Sequence, residues 1–78
     1  MMDIKDFVNN MAEQFYDTDA SEFAPDTEFK ALEEWESLTA LTVIAMIDKE
    51  YGVTISGKDI REAETIEDLF NRVQELKD

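Results

Sequence analysis

The chain has 78 residues, 44% of them hydrophobic, and its 20 acidic residues against 7 basic ones give a formal charge of −13. This length fits one small domain over residues 1–78, and the negative charge argues against nucleic acid or an anionic membrane surface as a partner, because both are bound through lysine and arginine clusters. The chain has no histidine and no cysteine, which excludes thiol catalysis, disulfides, the common zinc sites and the usual base of a nucleophilic serine.

The N-terminal segment predicts an amphipathic helix from residue 3 to about residue 16. Its apolar positions recur at i, i+3, i+4, i+7 and i+11, and Asp3 stands before them as N-cap. The apolar face consists of Ile4, Phe7, Val8, Met11 and Phe15. The N-terminus lacks a basic segment followed by an apolar core, and no apolar run approaches the roughly 18 residues of a membrane span. We therefore expect a cytoplasmic protein without membrane insertion.

Residues 17–36 predict a long structured loop. They have no sustained period, contain the only proline, Pro25, and carry many acids, serines and threonines. A loop this long in a small domain is often functional. Four apolar side chains should hold it against the core: Phe23, Phe29, Leu32 and Trp35.

Part of this loop resembles an EF-hand calcium loop in its spacing. The oxygen-bearing residues at positions 1, 3, 5 and 12 of such a loop would be Asp17, Asp19, Ser21 and Glu28. Position 6, which needs glycine for a sharp turn, is Glu22, and position 9 is Pro25. We therefore expect a solvated acidic loop and no specific metal site.

Residues 37–51 predict a second helix that is stopped by Gly52, with Lys49 in the last turn. A helical wheel predicts that its buried face consists of Leu41, Ile44, Ile47 and Tyr51, flanked by Ala40 and Val43. The positions expected to be exposed after Ser37 are Leu38, Thr39, Thr42, Ala45 and Lys49.

The C-terminal part predicts an extended connector and two further helices. Residues 53–55 alternate like a strand but are too few to pair, so we interpret them as a connector. Ser56 should cap a short helix over residues 58–62, and Thr65 should open the last helix. The last helix buries Ile66, Leu69, Phe70, Val73 and Leu76. The predicted fold class is all-α: three main helices and one short helix, with a long loop between helices one and two.

Ser37 stands between a cluster of acids and an apolar helical run, and two interpretations of it remain open. Serine is a favoured N-cap, so its spacing alone favours a capping role. Because the chain supplies no histidine base, a chemical role for Ser37 would make it the substrate of another enzyme. Trp35 is by itself typical of a core residue of a small domain.

Together these features resemble the acyl carrier protein family, including its peptidyl and aminoacyl carriers, over nearly the whole chain. The resemblance rests on length, acidity and helix order, and on Trp35-Glu36-Ser37-Leu38 at the start of helix two. It continues in residues 47–55, IDKEYGVTI, and in residues 64–69, ETIEDL. The family's modification sequence is commonly Asp-Ser-Leu. Glu36 keeps the charge of that aspartate on a longer side chain.

The resemblance implies that Ser37 carries a covalent 4′-phosphopantetheine arm, attached by a phosphopantetheinyl transferase. The arm would hold acyl or aminoacyl groups as thioesters for fatty-acid or specialised secondary-metabolite synthesis, and the chain would contribute no catalytic residue. The further partners would be loading and condensing enzymes that bind a monomeric carrier. The expected partner-binding residues are Glu36, Leu38, Thr39, Thr42, Ala45 and Lys49.

The exposed side of helix two favours a carrier dedicated to a specialised pathway. General fatty-acid carriers typically display acids there, whereas this chain has two hydroxyls and Lys49. Trp35 before the site is similar to carriers that work with stand-alone adenylating enzymes. The alternative function is an unmodified acidic adaptor or inhibitor that binds a basic protein surface. An enzyme is the weakest of the three interpretations, because no paired acids are visible in a predicted pocket.

Overall fold

The computed structural model describes residues 2–77 and contains four α-helices over this range. They are α1 (Ile4–Ala12), α2 (Ser37–Tyr51), α3 (Gly57–Glu62) and α4 (Ile66–Lys77). The loop between α1 and α2 contains two single 3₁₀ turns, Ala20–Glu22 and Phe29–Ala31, and no strand occurs in the described range. The predicted all-α fold, with three longer helices, one short helix and a long first loop, is confirmed.

Helix α1 begins as predicted and ends about one turn early. The Asp3 side chain accepts a hydrogen bond from the backbone N–H of Lys5 at 2.9 Å, which caps the helix. After Ala12 the N–H of Phe15 bonds three residues back, to the Ala12 carbonyl at 3.1 Å, and this tighter turn ends the α-helix. The turn brings Phe15 to 5.1 Å from Phe23, measured between ring centroids. The expected end near residue 16 is therefore wrong.

Helix α2 has the predicted bounds, and its C-terminus is confirmed at Gly52. This glycine lies in the left-handed region at φ 68°, and its N–H donates to the Asp48 carbonyl at 2.9 Å. The predicted buried face is partly wrong, because Leu41 is 62% exposed and Thr39 only 8%. The side chains that α2 buries are Thr39, Val43, Met46 and Ile47, while Ala40, Ile44 and Tyr51 are half-buried.

The core combines side chains from all four helices, the long loop and the connector. Helix α1 packs against α4, with the rings of Phe7 and Phe70 5.5 Å apart in an edge-on arrangement. In the connector, Val53 and Ile55 are buried and Thr54 is exposed, so the chain is extended there without pairing. On α4 the predicted face is confirmed except for Leu76, which is exposed in the last turn of the helix.

The long loop is held against the core as predicted: Phe23 and Phe29 are buried, and Leu32 and Trp35 are half-buried and pack against the core. The loop also contributes hydrogen bonds to α4. The N–H of Ile66 donates to the Thr27 carbonyl at 3.1 Å, and the N–H of Glu67 donates to the Pro25 carbonyl at 2.8 Å. Loop carbonyls thereby satisfy two N–H groups that the first turn of a helix leaves without intrahelical partners.

The predicted cap of α3 is confirmed, although the helix starts at Gly57, one residue before the expected start. The Ser56 hydroxyl accepts from the Asp59 N–H, and the Asp59 carboxylate accepts from the Ser56 N–H at 2.9 Å, which is a capping box. The same carboxylate pairs with Arg72 of α4 at 2.8 Å. This pair joins α3 to α4, at the other end of the connector from α2.

Candidate functional site

Ser37 is the first residue of α2 and is exposed to solvent. The N-cap is Glu36, whose extended backbone places its carbonyl to accept from the N–H of Ala40 at 3.0 Å, the first hydrogen bond of the helix. The capping role expected for Ser37 is therefore wrong, because Glu36 occupies that position. Within residues 2–77 the Ser37 hydroxyl takes part in no hydrogen bond, so it is free to react with an external group.

The first turn of α2 leaves backbone donors available beside this hydroxyl. Glu36 makes no side-chain cap hydrogen bond, and the N–H groups of Ser37, Leu38 and Thr39 find no acceptor in the described part of the chain. These groups carry the positive end of the helix dipole. An anionic group attached to Ser37 would therefore lie at a helix end that favours negative charge.

The segment before Ser37 is held by one glutamate. The Glu34 carboxylate accepts hydrogen bonds from the N–H groups of Tyr16 at 2.6 Å and Asp17 at 2.8 Å, and from the Thr18 hydroxyl at 2.8 Å. The Glu34 carbonyl accepts from the Thr39 hydroxyl, also at 2.8 Å. Partial burial acts to raise the pKa of Glu34, but these hydrogen bonds outweigh it and the net pKa is lowered.

Trp35 packs beneath this segment. Its ring lies 5.2 Å from the Phe29 ring in an edge-on arrangement and 6.3 Å from the Phe15 ring in a stacked one, measured between centroids. Its backbone N–H donates to the Leu32 carbonyl at 3.0 Å. The core role that is typical of a single tryptophan therefore fits the structure, and it holds the chain two residues before Ser37.

The exposed face of α2 next to Ser37 is apolar. Leu38 is 64% exposed, Leu41 is exposed to almost the same extent, and Ala45 and Lys49 continue this face toward the end of the helix. Thr42 is half-buried, and its hydroxyl donates to the Thr39 carbonyl at 2.8 Å. The expectation that Thr39 is exposed on this face is wrong. Thr39 is buried, and its hydroxyl donates a hydrogen bond to the Glu34 carbonyl.

Sequence patterns missed two residues of this region. The helical wheel places Leu41 in the core, because apolar residues occur on most sides of α2 and the wheel does not distinguish the buried apolar face from the exposed one. In the sequence, Glu34 is only one of three acids near Ser37, together with Glu33 and Glu36. Its donors lie 16–18 positions earlier, in a loop without periodicity, and no sequence signal identifies them.

The loop that leads to Ser37 is strongly acidic. Residues 17–36 contain eight acids and one lysine, Lys30, whose ammonium group donates to the Arg61 carbonyl at 2.9 Å. Glu33 and Glu36 are exposed beside Ser37. In the part resembling a calcium loop, Asp19 caps a 3₁₀ turn by accepting from the Ser21 N–H at 2.8 Å, and residues 2–77 contain no group of three or more potential metal ligands.

A small helical bundle with a free serine at the start of its second helix, and without histidine or cysteine, is a domain suited to carrying an attached group. A family model described as the phosphopantetheine attachment site matches residues 6–73, and the chain belongs to this family. Comparisons with curated proteins and with solved structures give no match. The domain is thus a non-catalytic carrier, and its covalent prosthetic group is 4′-phosphopantetheine.

The residues at the start of α2 fit this group. Attachment through a phosphodiester needs a free hydroxyl, which Ser37 would supply. The negative charge of the phosphodiester is favoured at a helix N-terminus, where the N–H groups of the first turn have no acceptor within residues 2–77. When bound, the group supplies a thiol that holds cargo as a thioester. Carrier domains of this family work with modifying and loading enzymes. None of the helices in residues 2–77 is long and apolar enough to span a membrane.

Proposed function

We propose that Ser37 carries the 4′-phosphopantetheine arm and that the chain is an acyl or aminoacyl carrier. The observation that supports this assignment is the exposed hydroxyl of Ser37, unbonded in the described range, at the first residue of α2 and directly before Leu38. The other two serines are less suitable. Ser56 uses its hydroxyl in the capping box of α3, and Ser21 lies in a 3₁₀ turn of three residues.

The test is intact-mass analysis after incubation with coenzyme A, magnesium and a broad-specificity phosphopantetheinyl transferase. We expect the wild type to gain the mass of one phosphopantetheine, Ser37→Ala to gain none, and Ser21→Ala to behave as the wild type. Ser21 is the matched control because it is also exposed and its hydroxyl is not part of a helix cap. An unchanged wild-type mass would reject the assignment and favour the acidic adaptor, which needs no modification.

The electrostatics of the site suit transient partners with basic surfaces. Glu33 and Glu36 would repel a free phosphate, so the phosphate of the arm is retained by its covalent bond to Ser37 and not by charge. The same acids, with those of the loop, steer a basic transferase or loading enzyme toward Ser37. Small contacts of this kind allow fast release, which a carrier needs when it passes from one enzyme to the next.

We further propose that the carrier serves a dedicated pathway and contacts its partners through the exposed face of α2. This face has no charge from Ser37 to Ile47, and the first charged residues of the helix are Asp48 and Lys49. Partners that bind general carriers through basic patches would find no carboxylates there and would meet a lysine at its end. The proposed contact residues are Glu36, Leu38, Leu41, Thr42, Ala45 and Lys49.

Turnover of the loaded holo-protein by a fatty-acid ketosynthase tests the pathway proposal. We expect poor turnover of the wild type and improved turnover of the double variant Leu41→Glu/Ala45→Glu, which restores acids at two exposed positions of α2. Leu76→Glu, on the exposed side of α4, is the matched control and should not improve turnover. A wild type that already equals a general fatty-acid carrier would show that the dedicated-pathway proposal is wrong.

A further inference from the structure

Glu34 connects two parts of the chain that are distant in sequence. Its carboxylate binds the start of the long loop through Tyr16, Asp17 and Thr18, and its carbonyl binds the first turn of α2 through Thr39. The Tyr16 N–H contact, at 2.6 Å, is the shortest of the four, and the other three are each 2.8 Å. Hydrogen bonds to an ionised acceptor are stronger than those between neutral groups.

The start of the loop depends on these hydrogen bonds because its side chains pack little. Tyr16 is 89% exposed, and Asp17 is exposed as well. At the other end, Thr39 is buried and its hydroxyl reaches back over five residues to Glu34. Glu34 therefore links residues 34–39, which include Ser37, to the start of the loop through its carboxylate, and links their two ends to each other through its carbonyl and Thr39.

We propose that Glu34 is a positioning residue, which holds the segment before α2 so that the Ser37 hydroxyl is presented in one orientation to the transferase. This inference rests on the proposed attachment at Ser37. Glu34 itself does not touch the reacting atoms: it acts through the backbone of residues 34–37 and through Thr39. If residues 34–36 before α2 were disordered, the transferase would have to order them before the reaction.

A purely electrostatic role would have a different signature. Glu33 is the adjacent acid and is exposed, and none of the side-chain hydrogen bonds within residues 2–77 involves it. If Glu34 only steered a basic partner, the neutral variants of the two residues would affect the reaction alike, mainly through KM and in a salt-dependent manner. A positioning role affects kcat and only at Glu34.

The first experiment measures phosphopantetheine transfer to the wild type, Glu34→Gln and the matched control Glu33→Gln. A glutamine has one acceptor oxygen, and its NH₂ group would face N–H donors. We expect kcat to fall about fivefold in Glu34→Gln, the equivalent of one net hydrogen bond, while Glu33→Gln keeps the wild-type kcat. The two variants should share any change in KM. Equal kcat values for the two variants would overturn the positioning role.

The second experiment observes the amide protons of Tyr16 and Asp17 by NMR in the unmodified protein. We expect both signals to move together as the pH falls and Glu34 is protonated, below its usual pKa of 4.5. The Tyr16 signal should lose this movement in Glu34→Gln and keep it in Glu33→Gln. A Tyr16 signal that moves with pH in Glu34→Gln as it does in the wild type would also overturn the inference. If the wild type is not modified at Ser37, the proposed function and the positioning role fail together, a result distinct from a defect confined to Glu34→Gln.

Discussion

Arg72 of α4 pairs with Asp59 of α3, with 2.8 Å between its Nε and the Oδ1 of a carboxylate whose residue is 7% exposed. Asp59 also accepts hydrogen bonds from the N–H and the hydroxyl of Ser56. The guanidinium of Arg72 reaches Glu75 as well, at 3.4 Å on the surface. The buried carboxylate is thus satisfied on both oxygens, and it holds together the short helix and the last one.

Removing this carboxylate should destabilise the fold much more than removing its exposed neighbour. We expect Asp59→Ala to lower the free energy of unfolding by about 2–4 kcal/mol, because the carboxylate's half of the capping box and the partner of Arg72 are lost together. The matched control Glu75→Ala should change it by less than about 0.5 kcal/mol, as is usual for an exposed pair. Urea denaturation at pH 7 measures both. Equal losses for the two variants would contradict the structural role of Asp59.

The same carboxylate should contribute to acid denaturation. The backbone hydrogen bond from Ser56, and then the hydrogen bond from Arg72, lower the pKa of Asp59 from its usual value of 3.8. A folded-state pKa below the unfolded one gives stability that is complete above the unfolded pKa and is lost as pH falls through the folded one. We therefore expect a loss of stability below about pH 3.8 that is smaller in Asp59→Ala, measured by urea titrations across pH. Identical pH profiles would argue against this contribution.

Gly52 should be sensitive to substitution for a backbone reason alone. A Cβ added there would meet no atom within 4 Å, so the cost of Gly52→Ala comes from its φ of 68°. We expect a loss of about 1 kcal/mol in unfolding free energy, because residues with a Cβ disfavour the left-handed region. Gly57→Ala is the control: it lies in the first turn of α3 and should be neutral or slightly stabilising. Chemical denaturation of both variants decides whether the backbone conformation is the cause.

The net charge of −13 predicts that salt stabilises the protein. Repulsion among 20 acids is screened as the Debye length falls from about 10 Å at 0.1 M to about 3 Å at 1 M. A gain of about 1 kcal/mol would raise the melting temperature by about 4–8 °C in a domain of this size. Thermal melts over a sodium chloride series measure the effect. A melting temperature that stays flat or falls would mean that attractive pairs such as Arg72–Asp59 outweigh the repulsion.

The buried hydroxyl of Thr39 should contribute more to the free energy of unfolding than the half-buried hydroxyl of Thr42. Both donate at 2.8 Å, but Thr39 reaches the Glu34 carbonyl before the helix, whereas Thr42 bonds to the Thr39 carbonyl within it. We expect Thr39→Val to cost about 1 kcal/mol and Thr42→Val less than about 0.5 kcal/mol, because only the first joins separate segments. Unfolding curves of the two isosteric variants make the comparison. A larger loss for Thr42→Val would contradict it.

The course of the chain could be predicted from sequence where local chemistry decides it. Asp3, Ser56 and Gly52 each act through backbone groups within four residues, and the cap predicted at each of these positions is found. The 3.6-residue period of α4 likewise predicts its buried face, because charged and polar residues separate its apolar positions. Leu76 departs from it in the last turn of the helix, where the residue is 42% exposed.

The details of α2 could not be predicted, because they depend on distant partners. A threonine at position 39 is buried only because the Glu34 carbonyl satisfies its hydroxyl. Leu41 is as apolar as the residues that are buried, so its exposure follows from which side of the helix the other elements cover. The spacing of Ser37 is typical of an N-cap, but the extended backbone of Glu36 makes that residue the cap and leaves Ser37 as the first residue of the helix.

The hydrogen bonds from Ile66 and Glu67 to carbonyls of the long loop make the first turn of α4 a reporter of loop opening. These amides lie about 40 positions from their acceptors, at Thr27 and Pro25, so they exchange with solvent when the loop separates from the helix. Amides further along α4 bond within the helix and would respond only to its unfolding. Hydrogen exchange along α4 can therefore distinguish two events during an encounter with a partner enzyme. If only the loop separates, exchange rises at Ile66 and Glu67 alone, whereas if the whole bundle opens, it also rises further along the helix.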